Sequence, residues 1–148
     1  MIRLADTKDE PAIRKCAEEA YARYISEIGC KPAPMTADYA AQIAAGIVYV
    51  ATGEDTALQG FAVFYAKDGY VLLENVAVLP TAAGRGVGKS LISFCENAGR
   101  QLGISAVRLY TNEKMTDNLS IYPRLGYVQV ALRTEHGFKR VYFEKNLD

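Results

Sequence analysis

Hydrophobic and polar positions change period several times along the chain, and each change predicts an element. Residues 2–5 read as a short strand. Thr7 and Glu10 then have the spacing of a capping box, and Ile13, Cys16, Ala20, Tyr24 and Ile28 recur at helical intervals. That predicts a helix running to about residue 28, with Gly29 as its stop. A proline-bearing loop over 30–34 follows, and Thr36 opens a second, shorter helix ending near Gly46.

The period then shortens. Residues 47–52, 58–66 and 70–79 are rich in β-branched and aromatic side chains, which predicts three strands, and Lys67-Asp68-Gly69 is a hairpin turn between the last two. Helical spacing returns with Val87, Leu91, Phe94, Cys95, Ala98 and Leu102, ended by Gly103. Beyond it come a strand over 106–111, a short helix from Thr116 or Asp117 to Leu125, and strands over 127–132 and 141–144. The last two flank the turn Glu135-His136-Gly137. The order β-α-α-β-β-β-α-β-α-β-β predicts an α/β (α+β) fold. Its sheet is mixed, mostly antiparallel and of about seven strands, with helices on both faces.

Composition narrows the class. At 148 residues, 50% hydrophobic and 23% charged, the chain has the size and make-up of a single globular domain over 1–148. Seventeen basic residues balance seventeen acidic ones, which argues against nucleic acid or an anionic membrane as the main partner. Cys16, Cys30 and Cys95 are odd in number and lack a CxxC pair, so neither a disulfide framework nor a metal site is expected. No leader-like or membrane-length apolar run is present, and the cytoplasm is the expected location.

Candidate chemistry concentrates in Gly84-Arg85-Gly86-Val87-Gly88-Lys89-Ser90, between a strand and a helix start. Glycines there let the backbone approach an anion, and the first open N–H groups of the helix attract phosphate oxygen. A nucleotide-binding P-loop reading fits Gly88-Lys89-Ser90, but its first glycine falls on Ala83. The alternative is an acyl-CoA pyrophosphate loop, Arg/Gln-x-x-Gly-x-Gly/Ala. It keeps Gly86 and Gly88 and likewise meets Ala83, at its leading position.

Two motifs in order then point to a family. Leu73-Glu74-Asn75-Val76-Ala77-Val78-Leu79-Pro80 leading into the glycine loop resembles the fourth strand and pyrophosphate loop of the GNAT (Gcn5-related N-acetyltransferase) superfamily. Downstream, Asn118 to Tyr127 is similar to its Asn-x-x-x-Tyr-x-x-x-Gly-Phe/Tyr signature, with Tyr122, Gly126 and Tyr127 in register. The resemblance covers residues 70 to the C-terminus. The first 50 residues match in layout alone.

The resemblance implies an N-acetyltransferase that moves an acetyl group from acetyl-CoA to a primary amine by direct attack, without a metal, as a homodimer. It implies that Gly84, Arg85, Gly86, Val87, Gly88, Lys89 and Ser90 hold the pyrophosphate, with Arg85 and Lys89 either adding charge or simply solvated. It also implies that the main chain of Val76, Ala77 and Val78 pairs with the pantetheine arm. Tyr122 would protonate the leaving thiolate, or else be a core tyrosine. Asn118, one helical turn before it, would contact the cofactor or cap its helix. Glu74 shares strand parity with Leu72, Val76 and Val78, and reads as a general base, a water relay or an ion-pair member. A non-catalytic acyl-CoA-binding domain is the competing class. The C-terminal strand over 141–144 alternates apolar and charged residues, so one of its faces needs cover, and a second copy is the expected cover.

Overall fold

The computed structural model describes residues 1–147. The strands are β1 (Ile2–Leu4), β2 (Val48–Thr52), β3 (Leu58–Lys67), β4 (Tyr70–Val78), β5 (Ala106–Asn112), β6 (Val128–Glu135) and β7 (Phe138–Asn146). They form one seven-stranded sheet in the order β1-β2-β3-β4-β5-β7-β6. The β4/β5 pair is parallel, whereas β1/β2, β2/β3, β5/β7 and β6/β7 are antiparallel. The helices are α1 (Glu10–Tyr21), α2 (Ile25–Ile28), α3 (Tyr39–Ala44), α4 (Val87–Gln101) and α5 (Thr116–Arg124). The expected order holds, except that a 3-10 turn over Ala22–Tyr24 divides the first predicted helix. Both hairpin turns place two residues at positive φ, Asp68 with Gly69 and His136 with Gly137, the backbone that matches strand twist.

Two compact units divide the chain: Met1–Phe64 with Asn75–Cys95, and Tyr65–Glu74 with Glu96 onward. In the first, helix entry is set one residue earlier than the sequence suggested. Asp6 Oδ1 accepts from the Lys8 amide at 2.9 Å, and Asp9 Oδ2 accepts from the Asp6 amide at 2.8 Å. Two carboxylates thus form the capping box in place of Thr7 and Glu10, because Asp9 is also gripped by Arg3 at 2.8 and 2.9 Å. That guanidinium holds the Asp9 carboxyl below the usual carboxylate range. The cap of α3 is Asp38, whose Oδ1 takes the Ala41 amide at 3.1 Å, not Thr36.

Helices cover both faces of the sheet within this unit. Tyr39 of α3 meets Phe61 edge-on with ring centroids 5.3 Å apart, while Phe94 of α4 meets Tyr49 and Phe64. Phe61 and Phe64 are three residues apart on β3, so they face opposite ways. Gly60 fixes how closely α4 begins on the sheet. A Cβ there would lie 2.6 Å from the Ala77 carbonyl oxygen and 3.3 Å from Val87 Cγ1, so no side chain fits.

In the second unit the register stacks Leu73, Leu109 and Phe143 across β4, β5 and β7 on one buried face. Gly99 of α4 lies against Val71 and Leu147 on that face. Tyr122 of α5 packs on Phe143 with centroids 5.8 Å apart. This corrects one expectation. β7 is paired on both edges, by β5 and β6, and its apolar residues Val141 and Phe143 are buried within the unit. It therefore needs no second copy to cover it. The edge strand β6 leaves three apolar side chains exposed, Val128, Val130 and Leu132, and Leu102 and Ile121 are exposed elsewhere in the unit.

Candidate active site

The glycine loop takes the shape its sequence requires. Gly84 and Gly86 have φ of 80° and 79°, a region that other residues avoid, and a Cβ on either would meet nothing within 4 Å. The loop face is therefore open. Gly86 supplies the carbonyl that accepts the Ser90 amide at 3.0 Å, which makes it the helix N-cap. The amides at the first three helical positions, Val87, Gly88 and Lys89, have no partner within their own helix. Together with the dipole of the 15-residue α4 they form an anion seat. Ser90 differs from its expected part, since its amide is already committed and only its hydroxyl, on an exposed residue, remains. Arg85 and Lys89 are exposed, and Ala83 is extended with φ −63° and ψ 148°. Gly88 lets α4 lie against β4, where its Cβ would be 3.4 Å from Val78 Cγ2.

Main-chain direction on β4 follows from one bond. The Leu79 amide donates to Gln59 O at 2.8 Å, so by alternation the odd-numbered positions next to it turn toward β3. Ala77 follows that rule, its carbonyl lying against Gly60. Val76 and Val78 turn their N–H and C=O groups away from β3. The Val76 carbonyl accepts from the Tyr21 hydroxyl at 3.0 Å. Of the three strand positions expected to pair with a pantetheine arm, Val76 and Val78 thus present their backbone groups on the side away from β3.

Around this strand lies a buried polar network that the sequence did not reveal. The Tyr21 hydroxyl also donates to Asn75 Oδ1 at 2.7 Å, Asn75 Nδ2 donates to Tyr39 Oη at 3.0 Å, and the Tyr39 hydroxyl donates to the Pro34 carbonyl. Tyr21 and Tyr39 lie in the N-terminal part, outside both motifs. A signal for Asn75 was a lone amide amid the apolar run of β4.

The second unit holds Glu74, Asn118 and Tyr122. Glu74, Val76 and Val78 occupy alternate positions of β4 and are alike half-buried. Glu74 Oε1 accepts from the Tyr65 hydroxyl of β3 at 3.2 Å. Burial first, and then the Glu74 charge, push the Tyr65 phenol up to about 12, so Tyr65 remains a donor to this carboxylate at physiological pH. Tyr110 is also raised, mainly by burial. Asn118 and Tyr122 are one turn apart on α5, as expected. Asn118 Nδ2 donates to Thr111 Oγ1 at 3.1 Å, tying the helix to the end of β5 instead of capping its own start. Tyr122 is buried, its ring 5.8 Å from both Tyr127 and Phe143, and its carbonyl accepts the amides of Leu125 and Tyr127. The last aromatic of the motif has its own anchor: Tyr127 donates to buried Glu96 at 2.9 Å, and Lys145 holds the other Glu96 oxygen at 3.1 Å.

Burial pushes the Cys16 thiol up to about 12, and His136 is exposed at the hairpin tip. Among the described residues no group of three or more His, Cys, Asp or Glu side chains is placed to hold a metal ion. No helix among them is long and apolar enough to cross a membrane.

Comparison with known proteins decides the family. The family model described as an acetyltransferase (GNAT) domain matches residues 44–129, which carry the glycine loop, Glu74, Asn118 and Tyr122. The chain belongs to the GNAT acetyltransferase family. No curated protein matches it by sequence. Among solved structures it resembles the ribosomal-protein-S18-alanine N-acetyltransferase of Escherichia coli at 17% identity and a TM-score of 0.79, covering 99% of this chain and 93% of that one. The PaiA N-acetyltransferase of Thermoplasma acidophilum, solved with coenzyme A, gives 18% identity and 0.79, covering 99% and 98%. Nourseothricin acetyltransferase gives 24% and 0.64, covering 68% of this chain and 65% of that one. These likenesses establish the fold: a mixed seven-stranded GNAT sheet.

Proposed function

We propose that this GNAT chain is an N-acetyltransferase that moves the acetyl group of acetyl-CoA to a primary amine by direct attack. The observation that carries the reading is the open loop at Gly84–Gly86 followed by the unbonded first amides of α4, on a helix held against β4 through Gly88. The residues suit a coenzyme A pyrophosphate on geometry alone, without the side chain missing at Ala83. Backbone groups of Val76 and Val78 would pair with the amides of the pantetheine arm. The amine nitrogen attacks the thioester carbonyl, forming the C–N bond as the C–S bond breaks. Glu74 takes the proton released from nitrogen, directly or through water, and Tyr122 returns one to the departing thiolate. Cys16 does not enter, because a buried thiol raised to about 12 is not a nucleophile at neutral pH.

One observation favours a second reading. Tyr122 is packed between Tyr127 and Phe143, as a structural tyrosine would be, which suits an acyl-CoA-binding domain without turnover. Thiol release from acetyl-CoA, measured across a panel of amines beside calorimetric titration of coenzyme A, separates the two. We expect binding together with amine-dependent thiol release. Binding without release supports the second reading, and no binding overturns both. The acceptor is open at the level of class, since the similar structures range from an enzyme named for nourseothricin to one for an alanine of ribosomal protein S18.

A homodimer is part of the same proposal, with its seat moved from β7 to β6. Val128, Val130 and Leu132 lie exposed on a sheet edge whose open backbone groups invite another strand. Light scattering is expected to return twice the chain mass. A monomer mass at high protein concentration removes this part of the proposal.

A further inference from the structure

The hydrogen bonds of the first unit run in one direction. From Tyr21 they pass to Asn75, from Asn75 to Tyr39, and from Tyr39 to the Pro34 carbonyl, with the Tyr21 hydroxyl shared onto Val76 O. Tyr21, Asn75 and Tyr39 are only 7%, 8% and 2% exposed. Burying such groups is costly unless each is paired, and replacing a matched set with apolar side chains of the same shape is close to neutral for stability. Stability alone therefore does not call for this chain of bonds. What an apolar core cannot do is hold a strand carbonyl in one orientation.

That carbonyl belongs to Val76, whose backbone groups turn away from β3. A peptide oxygen has two lone pairs, and Tyr21 engages it through one hydrogen bond of 3.0 Å. We propose that Tyr21 is a positioning residue for the acyl donor. It holds the Val76 peptide so that the remaining lone pair accepts an amide N–H of the pantetheine arm. Through Asn75 and Tyr39 it also ties that strand to the 33–35 turn and the start of α3. Donor binding then tightens the segment that follows α2. The inference rests on the acetyl-CoA reading above, yet every residue in it lies in one unit with the glycine loop.

Tyr21→Phe keeps the ring and removes the hydroxyl. Coenzyme A affinity by calorimetry should weaken about tenfold, a typical result of leaving one buried partner unpaired. The KM for acetyl-CoA should rise by a similar factor while kcat changes little. Coenzyme A should slow hydrogen exchange over residues 33–44 in the wild type, and the variant should lose that protection; no such slowing in a wild type that binds coenzyme A overturns the coupling. A variant that binds coenzyme A as tightly as wild type, with protection intact, overturns the inference even if its melting temperature falls. Wild-type protein that binds no coenzyme A overturns the loop reading instead, so the two failures are distinguishable. Should Tyr21→Phe fail to fold, Tyr39→Phe decides through exchange alone. It cuts the link to Pro34, and coenzyme A-induced protection over 33–44 that survives it sinks the coupling.

Discussion

Tyr122→Phe should slow acetyl transfer by about 10²–10⁴-fold, the usual range for losing a positioned acid. The substitution keeps the ring that packs on Tyr127 and Phe143, so the fold and coenzyme A affinity should hardly change. The thiolate leaving group is the reason for the expected size. Without a donor, sulfur departs as an anion into a site that lacks its stabilising proton. Single-turnover rates on any accepted amine are the proper comparison, since slow product release would hide a change in chemistry. A mutant that transfers acetyl as fast as wild type returns Tyr122 to a packing role, leaving water or another group to protonate the sulfur.

The second large effect is expected at the loop. Gly86→Asp places a side chain on a residue with φ of 79°, where a Cβ costs roughly 1–2 kcal/mol. It also points a carboxylate into the space above the first amides of α4. Two lost charge-assisted hydrogen bonds at about 1.5–3 kcal/mol each, with like-charge repulsion added, should weaken coenzyme A binding by roughly 10²-fold or more. Gly86→Ala separates the causes, because it adds the backbone strain without the charge and should show only a small part of the loss. Calorimetric titration of the three proteins is the measurement. Equal affinity for Gly86→Asp and wild type would remove the loop from the binding site.

Much of the fold was legible because local chemistry decided it. Asp68-Gly69 and His136-Gly137 accept positive φ, so both hairpins fall where turn residues interrupt two β-rich runs. Gly29 and Gly103, at φ of 90° and 74°, mark helix ends as their sequence context suggested. Helix starts were read less well. Thr7 with Glu10 and Asp6 with Asp9 are equally good capping patterns on paper, and Arg3, held by Asp9 across a bend, tips the choice. The same limit applied to β7. Its alternation showed that one face is covered, but only the packing of Tyr122 on Phe143 shows that the cover comes from its own unit, and only strand order shows that β6 is the edge.

The candidate site divides along the same line. By itself the sequence determined the parts whose function is written in the backbone of neighbouring residues: the glycine loop, the helix start after it, and the one-turn spacing of Asn118 and Tyr122. Short-range sterics and helical period need no distant partner, so these were present in the string of residues. Only the tertiary structure decided what each side chain meets. Glu74 meets the phenol of Tyr65, Asn118 reaches Thr111, and Tyr127 holds Glu96. Gly60 must lack a side chain because Ala77 O lies where one would be. Tyr21 finds the Val76 carbonyl from a point 55 residues earlier in the chain. Such bonds depend on directions and distances within about half an ångström between groups far apart in sequence. Residue type and local period carry no record of that.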